Sequence, residues 1–144
     1  MKSILFFALV CFSVSCFAQL PANGKKITGS ITTKKGVVLK TGDKVRFGEG
    51  GLSSGAYQHI YTSFEKFGQK TANLEEGYAY KYAQIKEFRE VGTGDEKRFV
   101  ALVKPKGGIS ISLRAIDLEP AMASKEIISV NDVAISKLIP KKTI

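Results

Sequence analysis

The stretch GYAYKYAQIKEF, residues 77–88, places Tyr78, Tyr80 and Tyr82 at every second position. Its period decides the fold class. Read with a helical period, Leu74, Tyr78, Tyr82, Ile85 and Phe88 form one stripe. Two features oppose that reading. Gly77 near the start costs a helix about 1 kcal/mol relative to Ala. The crowding of Tyr78, Tyr80, Tyr82 and Phe88 suits a pleated surface better than a helix. As a strand, one face carries Tyr78, Tyr80, Tyr82, Gln84 and Lys86, and the other Ala79, Lys81, Ala83, Ile85 and Glu87. Neither is apolar throughout. A bulge or bend near residues 82–83 reconciles them, sending Ala83 and Ile85 into a core that Phe88 rejoins. Tyr78 and Tyr80 then lie half exposed at a rim, as packing residues with a face on which a ligand can stack.

Outward from this stretch the chain reads as short strands between turns. KITGSITT (26–33), VVLK (37–40), KVRF (44–47) and AYQHIYTSF (56–64) have strand character. KKG (34–36) and KTGD (40–43) are turns, and GEGGLSSG (48–55) is a loop of small residues. GTGDEK (92–97) is a hairpin connection leading to RFVALVK, and PKGG (105–108) precedes ISISLRAIDL. EPAMAS (119–124) fits one helical turn, and KEIIS is positioned to close the sheet. SVNDVAISKLIP (129–140) reads as the longest helix, with Val130, Val133, Ala134 and Leu138 at helical spacing and Pro140 as its stop.

The N-terminus is a targeting segment. Lys2 precedes an apolar run from Ile4 to Phe17, and Ala18 is a small residue at the cut. Residues 1–18 therefore read as a cleaved secretory signal peptide, too short for a transmembrane span, which needs about 20 apolar residues. A lipid anchor at Cys16 is disfavoured because Ser13-Val14-Ser15 lacks the usual upstream Leu. The protein is expected to be exported, to the periplasm or beyond. Cleavage removes Cys11 and Cys16, so the exported chain has no thiol for a disulfide, a metal or nucleophilic work. Residues 19–35 form a mobile leader and a first strand, 36–128 a β-domain, and 129–144 a helix with a basic tail.

The formal net charge is +9, with the basic excess towards both ends and a balanced middle. Export makes nucleic acid an unsuitable partner. An anionic cell-envelope polymer is the natural one for such a surface, with lysines kept for solubility as the plainer reading.

The order LKTGDKVRFGEG, YQHIYT, YAYKYAQIKEF, RFVALVK and ISISLRAIDLEPAMASKEI resembles small exported bacterial proteins of unknown function with an SH3-like domain. The likeness covers residues 36–128 and rests on the order of its segments: Gly42-Asp43, the glycine loop Gly48 to Gly55, and Glu119 to Ile127. Tyr80 stands where a small residue would be expected. The resemblance implies a mainly all-β fold, a small SH3-like antiparallel β-barrel, and brings no activity.

Catalytic patterns fail on their parts. GLSSG, Gly51 to Gly55, matches a nucleophile elbow around Ser53, but the single His, His59, follows with no acid between them. Gly50 to Gly55 has P-loop spacing, but Ala56-Tyr57 replaces the required Lys-Ser/Thr. Glu75-Glu76 and Asp95-Glu96 are adjacent turn residues rather than carboxylates facing across a cleft. No catalytic residue, cofactor or metal site is expected. The remaining expectation is a non-catalytic binding module for an envelope polymer or peptide, with Tyr57, Tyr61, Tyr78 and Tyr80 as stacking groups beside the 48–57 loop. The alternative is an assembly protein that meets a partner protein through a sheet edge or the C-terminal helix.

Overall fold

The computed structural model describes residues 24–62, 73–92, 94–107 and 112–142. The expected signal segment, residues 1–18 with Cys11 and Cys16, lies outside these residues. So do the ends of two expected strands, at 63–64 and 109–111, and the last two residues of the basic tail.

Among the described residues, ten strands and two short α-helices follow in order: β1 (Lys25–Ile27), β2 (Ser30–Thr32), β3 (Val38–Lys40), β4 (Lys44–Phe47), β5 (Ile60–Tyr61), β6 (Tyr82–Val91), β7 (Arg98–Pro105), β8 (Arg114–Asp117), α1 (Leu118–Ala123), β9 (Ile127–Val130), β10 (Val133–Ala134) and α2 (Ile135–Leu138). The protein is thus mainly β. Its main sheet is antiparallel and runs β10-β9-β4-β6-β7-β8-β5, with β1 paired to the far half of β6, while β2 and β3 form a separate hairpin. The path is open: β10 and β5 are its two ends.

The long strand β6 begins at Tyr82, not Gly77. Residues 79–80 form a tight turn before it, in which the Lys81 N–H donates to the Tyr78 carbonyl at 3.0 Å. The inward residues are Ala83, Ile85 and Phe88, all buried. Their uneven spacing comes from a bulge between Ile85 and Glu87. The irregularity therefore lies three residues further on than the sequence places it. Val130, Val45, Ala83 and Pro105 form one row across four strands. Val45, Ala83 and Val130 of that row belong to the main core with Phe47, Tyr57, Ile60, Phe88, Val103, Ile116 and Leu118. Burying each large apolar side chain contributes about 1.5–3 kcal/mol. Strand β7 is buried on both faces. Val100 and Leu102 join Ala115 in a second cluster, against which Tyr61, Val91 and Leu113 pack.

The segment 129–140 corrects the sequence reading. It is not one helix. Asn131 and Asp132 have φ of 49° and 66°, the two left-handed residues of a hairpin turn between β9 and β10. Asn131 fastens that turn to β4. Its N–H donates to the Lys44 carbonyl at 2.7 Å, and its Oδ1 accepts the Lys44 N–H at 2.9 Å. Only Ile135–Leu138 is helical, and Ile135, Leu138 and Ile139 pack on the main core. Within residues 19–35, where the sequence reading has a leader and one first strand, the structure has two strands, β1 and β2.

Candidate functional site

The loop at residues 48–59 is held by one carboxylate. Glu126 is fully buried. Its Oε2 accepts the N–H groups of Gly51 and Gln58 at 3.0 and 2.7 Å, and its Oε1 accepts the His59 N–H at 2.9 Å and the Ser124 hydroxyl at 3.2 Å. A buried charge persists only when it is hydrogen-bonded in this way. The glycines are needed for close approach. A Cβ on Gly48 would lie 2.0 Å from the Lys125 carbonyl oxygen, and one on Gly50 2.0 Å from that of Gly55.

The four tyrosines singled out in the sequence occupy different environments. Tyr57 lies wholly inside the core, and its hydroxyl donates to the Gly48 carbonyl at 2.7 Å. Burial, then the charge of Glu126, pushes its phenol up to about 12. Its ring is closed off from solvent, although it backs the cleft between the loop and residues 76–79. Tyr61 is half-buried against the second cluster, where burial and then Asp117 raise its phenol. Tyr78 packs edge-on against Phe47, with ring centroids 5.9 Å apart, and its hydroxyl accepts from Arg114 Nη2 at 3.4 Å. Tyr80 is the exposed one, at 51%.

Tyr80 is also conformationally unusual. Its φ is 65°, an outlier for a bulky residue that costs about 1–2 kcal/mol. Glycine, with no Cβ, is the residue that avoids this cost. Neighbours hold the conformation: the Tyr80 N–H donates to the Phe47 carbonyl at 2.8 Å, and the Tyr80 carbonyl accepts Arg46 Nε at 3.1 Å.

Beside Tyr80 stands a strip that the sequence reading did not assemble. The Arg46 guanidinium lies 5.6 Å from the Tyr80 ring centre and 5.4 Å from that of Tyr82. Lys44 Nζ lies 4.5 Å from the Tyr82 ring. Register puts these side chains on one sheet face: Arg46 is opposite Tyr82 and Ser129, and Gln84 is opposite both Lys44 and Lys104. Two carboxylates at the margins set the rings. The Tyr80 hydroxyl donates to Glu49 at 3.3 Å, and the Tyr82 hydroxyl donates to Asp132 at 3.1 Å. Asp132 also pairs with Lys44 at 2.9 Å. That bond, followed by the Tyr82 bond, lowers the Asp132 carboxyl, and the same pairing raises the Lys44 ammonium. The sequence signal for this strip was the alternation in KVRF, which sends Lys44 and Arg46 away from Val45 and Phe47.

Two clefts flank the 48–55 loop. One, of about 400 Å³, lies between the loop and residues 76–79 and has Glu49 and Glu76 on its walls. It occupies the place expected for the ligand, but its charged lining is acidic. The other, of about 410 Å³, has Gly48, Gly50 and Gly51 along one side, with Tyr80 and the opposite charges of Glu49 and Lys125 also lining it. This second cleft is continuous with the strip through Tyr80. No group of three potential metal ligands occurs among the described residues, and none of their helices is long and apolar enough to cross a membrane.

Comparison of the chain with protein-family models, curated proteins and solved structures finds no match.

Proposed function

We propose that this chain is an exported, non-catalytic module of SH3-like build that binds an anionic cell-envelope polymer along the Tyr80–Arg46–Tyr82 strip and the adjoining Lys125 cleft. The observation that carries the reading is the placement of Arg46 between two tyrosine rings, one of them half exposed on a left-handed backbone. A strained, exposed aromatic is a pointer to function. Its ring offers a flat apolar face to a sugar. Arg46, Lys104 and Lys125 supply attraction for carboxylate, sulfate or phosphate groups along a linear chain. Export rests on the composition of residues 1–18. In the partner-protein alternative the helix is a single turn whose Ile135, Leu138 and Ile139 are partly buried against the core, which leaves it a smaller apolar face to offer.

Co-sedimentation with peptidoglycan sacculi, and titration with heparin as a soluble anionic glycan, test the reading. Binding is expected, and Tyr80→Gly is expected to weaken it while keeping the turn. Absence of binding to both probes would remove the proposal.

A further inference from the structure

A separate groove of about 270 Å³ opens between the β2–β3 turn, the end of α1, β9 and α2. Val37, Met122 and Ile127 are core residues that show one surface to it, and Ile128, Ile135 and Ile139 complete its apolar wall. Its charged lining groups are Lys35 and Lys125; among the described residues no acid lines the groove, and the nearby Glu119 carboxylate is engaged by the Lys34 N–H. Neither lysine makes an ion pair among those residues.

Lys125 is held there at a cost. The Glu126 N–H donates to the Ala121 carbonyl at 2.9 Å and the Lys125 N–H to that of Met122 at 3.2 Å. These are the two bonds of a Schellman cap, with Lys125 at the left-handed position, φ 63°, that glycine ordinarily fills. A lysine at that position places a cation at the lip of an apolar groove.

We propose that this groove binds a single-chain amphiphile with a carboxylate head, a fatty acid, its chain along Ile127, Ile128, Ile135 and Ile139 and its head between Lys35 and Lys125. The size favours one narrow chain, since the groove lies below the roughly 300–1,000 Å³ of pockets for bulkier ligands. A peptide backbone would need hydrogen-bond partners along the groove, and Ser136 is the single uncharged polar side chain in its lining. A second copy would bring like charges together on a chain of net charge +9. The groove shares Lys125 and Ile128 with the cleft of the polymer reading, and Lys35 with the methyls of Ile127, Ile135 and Ile139 distinguishes it.

The test is calorimetric titration of the protein with octanoate, decanoate and decanol, with isoleucine-methyl NMR to locate the ligand. Saturable one-to-one binding of decanoate is expected, with affinity changing about fourfold per methylene between octanoate and decanoate. Decanol should bind more weakly. Lys35→Gln and Lys125→Gly together should weaken decanoate at least tenfold and leave decanol unchanged. Glycine suits the backbone at 125, so this variant keeps its cap. Shifts should centre on the methyls of Ile127, Ile128, Ile135 and Ile139, and Tyr80→Gly should leave them unaltered. No saturable binding, binding indifferent to the two lysines, or shifts centred elsewhere would overturn the proposal. So would a preference for an acidic apolar peptide over decanoate, or a dimer that covers the groove.

Discussion

The carboxylate of Glu126 accepts the N–H of Gln58 at 2.7 Å across 68 residues of chain. With its bonds to Gly51 and His59, this contact ties the glycine loop to the turn after α1. Glu126→Ala would leave three backbone donors without their acceptor. A loss of about 3 kcal/mol or more is expected, since each hydrogen bond to a charged group contributes about 1.5–3 kcal/mol. Hydrogen exchange should quicken most at Gly51, Gln58 and His59. Unchanged exchange at these amides would show that the loop is held by something else.

Asp117 provides a pH test. Its carboxyl is buried, and burial raises it above the usual carboxylate range, with Arg98 as the main opposing influence. The folded protein therefore keeps this proton in a window where the unfolded chain has released it. Stability from this group is greatest below the unfolded value and falls as pH rises through the folded one. Asp117→Asn removes that dependence. The melting temperature of the variant should gain on wild type as pH rises from about 4 towards neutrality. A gap constant with pH would contradict the assignment.

Tyr57 gives the corresponding alkaline test. Its phenol, pushed up to about 12, stays protonated in the folded state where an exposed tyrosine ionises. Stability is lost as pH rises from about 10 towards that value. Tyr57→Phe should reduce this sensitivity, leaving the part due to Tyr61, and cost about 1 kcal/mol at neutral pH through the lost bond to Gly48. Thermal melts across the alkaline range check both. Equal alkaline sensitivity in the two proteins would exclude Tyr57 as its source.

Lys125→Gly should stabilise the fold. Relief of the left-handed strain, about 1–2 kcal/mol, outweighs the entropy glycine adds to the unfolded chain, about 0.5–1 kcal/mol. A net gain of about 0.5–1 kcal/mol is expected by denaturant unfolding. A loss would mean that the lysine side chain makes a stabilising contact of its own.

Much of the fold was legible because it is written locally. The turn at 40–43, the β6–β7 hairpin, the apolar run of β7 and the inward set Ala83, Ile85 and Phe88 all follow from turn chemistry and period. The Asn131-Asp132 turn was hidden because Val130, Val133, Ala134 and Leu138 also satisfy a helical spacing. Val-Asn-Asp-Val was the signal for a two-residue hairpin. The site was less legible because its contacts are long-range. Glu126, between Lys125 and Ile127, looks like surface charge until the loop some 70 residues upstream folds onto it. Tyr57 and Tyr80 are equivalent in sequence, yet one is sealed in the core and the other stands on a turn. Nothing in the local sequence separates them.

The most direct measurement of the central claim is the affinity for heparin and peptidoglycan of wild type, Tyr80→Gly and Arg46→Gln, each at low and high salt. The account expects Tyr80→Gly to lose about tenfold, the contribution of one stacked ring, with much of the wild-type binding surviving salt. Arg46→Gln should reduce both the affinity and its salt dependence. Affinity unchanged in both variants, or wild-type binding abolished by salt, would contradict the strip as the binding site.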